Sequence, residues 1–150
     1  PAFDRDATKF TYDRWHGWWR AAHKGITPAY PFGFGLSYTT FAIDEVTTSA
    51  EGSTIVVGGV LFNTGARDGS DVVQVYAQLP DPEAPARLIG FARVDVEAQG
   101  RTPFEIVVPI DRLATRDNAG RSWRAPSGRH TIIVGRFAGD PAATSAELTL

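Results

Sequence analysis

The chain has 150 residues, of which 43% are hydrophobic, enough for one domain with its own core but not for two. Its formal net charge of −2 and the lack of any apolar run near the ~20 residues of a membrane span exclude nucleic acids and membranes as predicted partners, so we expect a soluble protein. Cysteine is absent, which excludes disulfides and cysteine metal sites but leaves the compartment open between cytoplasm and export.

The first 39 residues form an aromatic arm without a sustained hydrophobic period. Because Pro1 is not a translation start and methionine is absent throughout, we expect the chain to be a fragment of a longer polypeptide. Four residues of the arm fit the i, i+3, i+4, i+7 spacing of one helix face: Trp15, Trp18, Trp19 and Ala22. This spacing predicts a short helix or turn between Asp13 and His23, ended by Gly25.

Residues 30–41, here called the hinge segment, contain five aromatic residues and two glycines. Flexible linkers are poor in large apolar groups, and each ring gains roughly 1.5–3 kcal/mol by leaving water. We therefore expect part of the protein to cover this segment. The glycines, Gly33 and Gly35, lack the strand, helix and third glycine of a phosphate-binding loop, so we interpret them as residues that let the backbone turn.

Short strand patterns begin after the hinge segment. The predicted strands cover residues 41–46, 54–62, 71–79, 88–96, 102–108, 129–137 and 145–150. In the third strand Val73, Val75 and Ala77 alternate with Gln74 and Tyr76, which predicts a strand buried on one face only. The intervening segments, including the proline-rich residues 80–85 and the long stretch 111–127, are predicted to be loops.

These strands predict an all-β fold. Seven short strands in about 110 residues, joined without helical crossovers, indicate an antiparallel β-sandwich of the immunoglobulin or fibronectin type III kind. Because the Cys and Trp signature of immunoglobulin domains is missing, the fibronectin type III-like variant is favoured. We predict a boundary between an aromatic arm and hinge at residues 1–39 and a sandwich at residues 40–150.

Several segments resemble glycoside hydrolase family 3, the β-glucosidase family. The hinge segment is similar to the one that leads from the catalytic domains of that family into its C-terminal fibronectin type III-like domain. The sequences GVLFNTG at 59–65, GSDVVQVY at 69–76, LIGFARV at 88–94 and PSG at 126–128 followed by IIVG at 132–135 are similar to motifs of that domain, in the same order. Residues 12–14 and 17–20 are similar to a stretch that precedes the hinge.

The resemblance implies an accessory, stabilising domain of a β-glucosidase-like hydrolase whose N-terminal catalytic domains are the partner. Retaining glycosidases use two carboxyl groups about 5–5.5 Å apart, and the family carries both before the hinge. Asp71 follows Ser70 but precedes Val72, unlike the family's nucleophile motif, so we expect a solvated strand-edge residue. We predict no catalytic residue, metal or cofactor, no activity of the chain alone, and carbohydrate contact only through the whole enzyme.

The aromatic residues of the arm and hinge allow two interpretations. They pack against the missing catalytic domain, or their flat rings bind sugars as an independent carbohydrate-binding module; a purely structural sandwich explains the hinge poorly. The candidates for either role are Trp15, Trp18, Trp19, Tyr30, Phe32, Phe34 and Tyr38.

Two further features have structural interpretations. Of the three histidines, His16 and His23 are seven residues apart, too far for the i, i+4 pair of a zinc helix, and His130 is remote in sequence. The proline-rich loop at 80–85 is expected to be a rigid surface connection, with a role in shaping the substrate site of a whole enzyme as the alternative.

Overall fold

The computed structural model of the chain describes residues 6–9, 15–81, 83–117 and 119–150. One helix, α1 (Gly17–His23), precedes all the strands. The strands in chain order are β1 (Phe41–Glu51), β2 (Thr54–Asn63), β3 (Gly69–Gln78), β4 (Arg87–Val96), β5 (Arg101–Pro109), β6 (Thr115–Asp117), β7 (Ser122–Arg124), β8 (Arg129–Gly135) and β9 (Thr144–Thr149). A single 3₁₀ turn, Ile110–Leu113, lies between β5 and β6.

Two antiparallel sheets form the sandwich. One sheet has the order β1-β2-β5, and the other has the order β4-β3-β8-β9. The predicted all-β sandwich of seven strands is therefore confirmed. The remaining two strands, β6 and β7, pair only with each other and form a small hairpin within residues 111–127, which we had expected to be a plain loop. Three-residue strands are too short to leave a periodic hydrophobic pattern.

The core lies between the two sheets. In β5 the burial alternates strictly, so that Phe104, Ile106 and Val108 point inward while the residues between them are exposed. These side chains meet those of the opposite sheet in one cluster that contains Val73, Val75, Ala77, Ile89, Val94, Ile132, Val134 and Leu148. Each apolar face is thus covered by the other sheet.

The prediction that β3 is buried on one face only is wrong. Val73, Val75 and Ala77 face the core as predicted, but Gln74 and Tyr76 on the other face are also buried, with 4% and 6% of their surface exposed. The alternation could not show this burial, because a separate part of the chain causes it. β3 is an inner strand of its sheet, and the hinge segment lies over Gln74.

The predicted helix of the arm exists but is shorter. It begins at Gly17 and ends at His23, and Asp13 lies outside the described residues. Gly25 follows with a φ of +62°, and the Ile26 N–H donates to the Ala21 carbonyl 2.9 Å away, which completes a helix end of the expected kind. Within the described ranges, no helix is long and apolar enough to cross a membrane.

Candidate functional site

The hinge segment is attached to the end of the four-stranded sheet by three contacts. The Phe32 carbonyl accepts a hydrogen bond from the Ala138 N–H at 2.9 Å. The Gly33 carbonyl accepts a longer one, 3.4 Å, from the Gln74 side-chain amide. The Phe34 ring meets the Phe137 ring edge to face, with centroids 5.4 Å apart. The segment therefore lies against β3 and the loop after β8 instead of projecting into solvent.

Gly33 is the position where this attachment requires glycine. Its φ of +81° is unfavourable for other residues, and a Cβ there would lie 2.3–2.8 Å from the Gln74 side chain. A Cβ on Gly35 would meet nothing within 4 Å among the described residues. The structural interpretation of the two glycines is thus confirmed for Gly33, where the hinge backbone approaches β3 closely.

Gln74 holds the hinge through a buried polar network. Its side-chain amide donates to the Arg136 carbonyl at 2.6 Å as well as to Gly33. Its side-chain oxygen accepts the Tyr76 hydroxyl at 2.5 Å. Burial raises the pKa of Tyr76 to about 12, so the hydroxyl keeps its proton and remains a donor at physiological pH. One glutamine side chain thus connects β3, the loop after β8 and the hinge segment.

Asp71 is not the solvated strand-edge residue that we predicted. Alternation places it on the same side of β3 as Val73, and its side chain is only 25% exposed. Its carboxylate lies 3.7 Å from the Arg136 guanidinium, which also contacts the buried Asp140 at 3.5 Å. Burial is the main cause that raises the pKa of Asp71, against the opposing effects of the Val72 N–H and Arg136.

The raised pKa predicts how Asp71 affects stability with pH. A carboxyl group whose pKa is higher in the folded than in the unfolded chain destabilises the folded chain when it is ionised. This destabilisation is complete above the folded pKa and disappears below the unfolded value of 3.8. We expect Asp71→Asn to raise the free energy of unfolding at pH 7 and the gain to shrink as the pH falls towards 4.

Urea unfolding at pH 4 to 8 measures this difference. Asp95→Asn is the matched control, because Asp95 also pairs with an arginine but its side chain is 83% exposed. We expect that control to change stability little. A loss of stability for Asp71→Asn at pH 7 would contradict the prediction and show that the pair with Arg136 outweighs burial.

The aromatic residues of the arm and hinge remain largely exposed. Among the predicted candidates, Tyr30 and Tyr38 are 70% and 93% exposed, and Trp18 is 51% exposed. The structure brings some of them together: Trp18 and Phe32 form a T-shaped pair with centroids 6.1 Å apart, and Tyr30 packs on Phe34 at 5.7 Å. The aromatic surface, as we call it, consists of Trp18, Trp19, Tyr30, Phe32, Phe34 and Tyr38. Large apolar side chains that stay exposed together on one segment mark an interaction surface.

Trp15 differs from the other tryptophans. It is half-buried, and its ring stacks face to face on the His23 imidazole, with centroids 4.0 Å apart and planes within 6°. His130 is fully buried on β8, where its Nδ1 lies 3.0 Å from the Gly128 carbonyl. In the part of the chain that the structure describes, no three His, Asp or Glu side chains lie close enough together to hold a metal ion.

Sequence reasoning missed Asn63, which fixes the other end of the hinge. Its side-chain oxygen accepts the Thr39 hydroxyl at 2.6 Å and the Gly65 N–H at 3.1 Å. Its amide donates to the carbonyls of Arg67 and Val96, at 2.6 and 3.2 Å. The sequence NTG indicated a turn, but it carried no sign that the asparagine side chain is buried and joins four segments.

The proline-rich loop lies at the opposite end of the sandwich from the hinge. It follows the end of β3, whereas the hinge enters β1 beside the start of that strand. The Gln78 amide donates to the carbonyls of Ala84 and Asp81 at 2.6 and 3.2 Å, and no strand crosses the described part of residues 80–85. The loop therefore has no regular strand in its described part, as predicted, whereas its rigidity and its role near a substrate stay predictions.

Comparison with known proteins agrees with this architecture. Residues 71–138 match the family model of the fibronectin type III-like domain. The chain is 32% identical over 125 residues to a xylan 1,4-β-xylosidase of Xylanibacter ruminicola and 36% identical over 115 residues to β-glucosidase B of Emericella nidulans. These matches cover 81% and 74% of the chain but only 14% of each enzyme.

Solved structures give the same result. The fold superposes on a GH3 β-glucosidase of Bifidobacterium adolescentis with a TM-score of 0.81 and 30% identity, covering 89% of the chain and 20% of that structure. The match to DesR, a β-glucosidase of Streptomyces venezuelae solved with D-glucose, has a TM-score of 0.79 and 26% identity, covering 86% of the chain and 17% of that structure.

Fold and matched segment together define the class: residues 71–138 match the fibronectin type III-like domain, and the two antiparallel sheets that contain them form a sandwich of that kind. Within that class, the chain with its hinge segment resembles the domain of glycoside hydrolase family 3, as the sequence motifs predicted. That prediction is confirmed. The chain spans less than a quarter of the length of these relatives, so most of such an enzyme lies outside it.

Proposed function

We propose that the chain is the accessory, stabilising domain of a β-glucosidase-like hydrolase of glycoside hydrolase family 3. In this proposal the whole enzyme hydrolyses β-glycosidic bonds, and its catalytic residues lie outside the 150 residues. The observation that carries the proposal is the aromatic surface: its hinge segment is held against the sandwich at Gly33 and Phe34, yet its large rings are left exposed to solvent.

The physical argument concerns what an ordered apolar surface can do. Rings that remain exposed contribute little to the stability of the chain itself, whereas each gains roughly 1.5–3 kcal/mol when a partner covers it. The contacts of Gln74 and Phe137 hold the hinge in one conformation, which reduces the entropy that docking must overcome. The catalytic domains of the same enzyme are the partner that this surface fits.

The candidate residues keep their predicted role in this proposal. Residues 1–39 form the arm and hinge, residues 40–150 form the sandwich, and the side chains proposed to pack against the catalytic domains are Trp15, Trp18, Trp19, Tyr30, Phe32, Phe34 and Tyr38. Because Trp15 already stacks on His23 with one ring face, we expect it to contribute mainly its opposite face.

The proposal predicts that the chain alone hydrolyses no aryl β-glycoside. It also predicts that removing residues 40–150 from the intact enzyme shortens the half-life of activity at elevated temperature, because the catalytic domains lose covered surface. An aryl-glycoside assay of the isolated chain and inactivation curves of the intact and shortened enzymes measure both. Turnover by the chain, or equal half-lives, would contradict the proposal.

An independent carbohydrate-binding module is the second candidate. The exposure of Trp18 and Trp19 favours it, since flat rings can stack on a pyranose. Against it, one face of the Trp15 ring is occupied by His23, and Trp18 already packs against Phe32 in a T-shaped contact. Saturable quenching of tryptophan fluorescence by soluble β-glucans would favour this function, and the absence of a response would exclude it.

A further inference from the structure

Phe91 is an exposed aromatic residue in the middle of a strand. It lies on β4, and 67% of its surface is exposed, whereas Ile89, Val94 and Val96 of the same strand are buried. A phenylalanine in this position adds no core packing. The sandwich therefore has an apolar side chain that its own fold leaves uncovered.

The strand register places Phe91 beside the hinge segment. Phe91 pairs directly with Gln74 of β3, so the two side chains point to the same, outer face of the sheet with Cβ atoms about 4.5–5.5 Å apart. On that face the Gln74 side chain donates a hydrogen bond to the Gly33 carbonyl of the hinge segment. Phe91 thus lies beside Gln74, the residue that the hinge segment contacts, on the same outer face of the sheet.

The neighbouring row of the outer face is apolar too. Leu88 of β4 and Ile133 of β8 both pair with Tyr76 of β3. Leu88 and Ile133 are half-buried. Towards the other end of β4, Arg93 donates to the Ser70 hydroxyl at 3.0 Å and forms a polar border. An apolar centre with a polar rim is the usual composition of a protein–protein interface.

The outer face of the three-stranded sheet differs from that of β4 because its large aromatic side chain is covered. Its large outward ring, Phe62 of β2, has the Arg101 guanidinium 4.9 Å from its centroid, and Arg101 is also paired with Glu45 at 2.7 Å. That face therefore covers its main aromatic side chain with charged groups from its own sheet. Val107, 55% exposed, also lies on this face, where it pairs with Val56 of β2.

We propose that the outer face of β4, centred on Phe91, is the second half of the surface that docks on the catalytic domains, whereas the three-stranded sheet faces solvent. This inference rests on the proposed function and specifies which face of the sandwich is used. The occupant is the remainder of the enzyme, because the relatives are five to seven times longer than the matched part and Phe91 pairs with Gln74, which contacts the hinge segment.

The test compares Phe91→Ser with Val107→Ser in the intact enzyme. Both replace an exposed apolar strand residue, but on opposite faces of the sandwich. We expect Phe91→Ser to shorten the half-life of activity at elevated temperature about tenfold, the effect of losing one central interface residue, and Val107→Ser to change it less than about twofold. The melting temperature of the isolated chain should be unaffected by Phe91→Ser, which separates docking from folding.

A third variant distinguishes this inference from the proposed function. In the same enzyme, the double substitution Trp18→Ala and Phe32→Ala removes part of the aromatic surface. If the double variant shortens the half-life but Phe91→Ser does not, the docking face is wrong and the proposed function stands. If neither shortens it, both are overturned. Equal effects of Phe91→Ser and Val107→Ser, or a lower melting temperature of the isolated Phe91→Ser chain that accounts for the loss, also overturn the inference.

Discussion

Asn63→Ala is expected to lower the free energy of unfolding of the chain by about 3 kcal/mol or more, because it removes four hydrogen bonds in a buried site. The carbonyl of Val96 and the hydroxyl of Thr39 would lose a partner, and each group that stays buried without one costs about 1–3 kcal/mol. The effect is large because one side chain joins β2, the turn after it, the end of β4 and the end of the hinge.

Thermal unfolding measures this effect, which corresponds to a drop in melting temperature of roughly 10 °C or more for a domain of this size. Thr64→Ala is the matched control: Thr64 is the next residue and also bonds to the hinge, through Thr40, but it is exposed. We expect the control to cost less than about 1 kcal/mol. Equal losses for the two variants would show that Asn63 has no special role.

Gly33→Ala is expected to detach the hinge from β3 and leave the sandwich folded. The new Cβ would lie 2.3–2.8 Å from Gln74, which cannot move away without losing its bonds to Arg136 and Tyr76. The positive φ adds about 1–3 kcal/mol of strain for a residue with a side chain. Residues 31–36 have few other contacts to the sandwich. Displacement of this segment from β3 therefore costs less free energy than displacement of Gln74.

Hydrogen exchange of the Ala138 amide provides the measurement, because that amide donates to the Phe32 carbonyl only while the hinge is docked. Gly35→Ala is the control, as a Cβ there has open space around it. We expect faster exchange at Ala138 in Gly33→Ala, unchanged exchange in Gly35→Ala, and unchanged exchange in the core strands of both. Protection of Ala138 retained in Gly33→Ala would contradict the prediction.

The strands were predictable from sequence because their burial depends on local alternation. The seven sandwich strands appear within a few residues of their predicted limits, except that β1 continues to Glu51 instead of ending at residue 46. The hydrophobic period shows which side of a strand faces the core. β5, with its strict alternation, is the clearest example.

The features that were missed depend on contacts between distant parts of the chain. Burial of Gln74 requires Gly33, 41 residues earlier, and the network of Asn63 reaches Val96, 33 residues later. Asp71 was expected at an edge because nothing near it in sequence shows that Arg136 lies beside it. The sequence predicted which aromatic residues form the candidate surface. It did not predict how they are arranged, because that depends on the sheet against which the hinge segment lies.

The contacts of Gln74 also indicate that strand pairing precedes docking of the hinge segment during folding. Gln74 and Arg136, whose carbonyl orients its amide, are 62 residues apart and meet only when β3 and β8 have paired. Such long-range contacts form late, because closing the intervening loop costs entropy before any contact compensates it. The hinge segment can therefore dock on Gln74 only after β3 and β8 have paired. In a newly synthesised chain, the hinge segment would be docked on β3 only after the domain has folded. A partner that binds the aromatic surface in this arrangement would therefore bind folded domains in preference to unfolded chains.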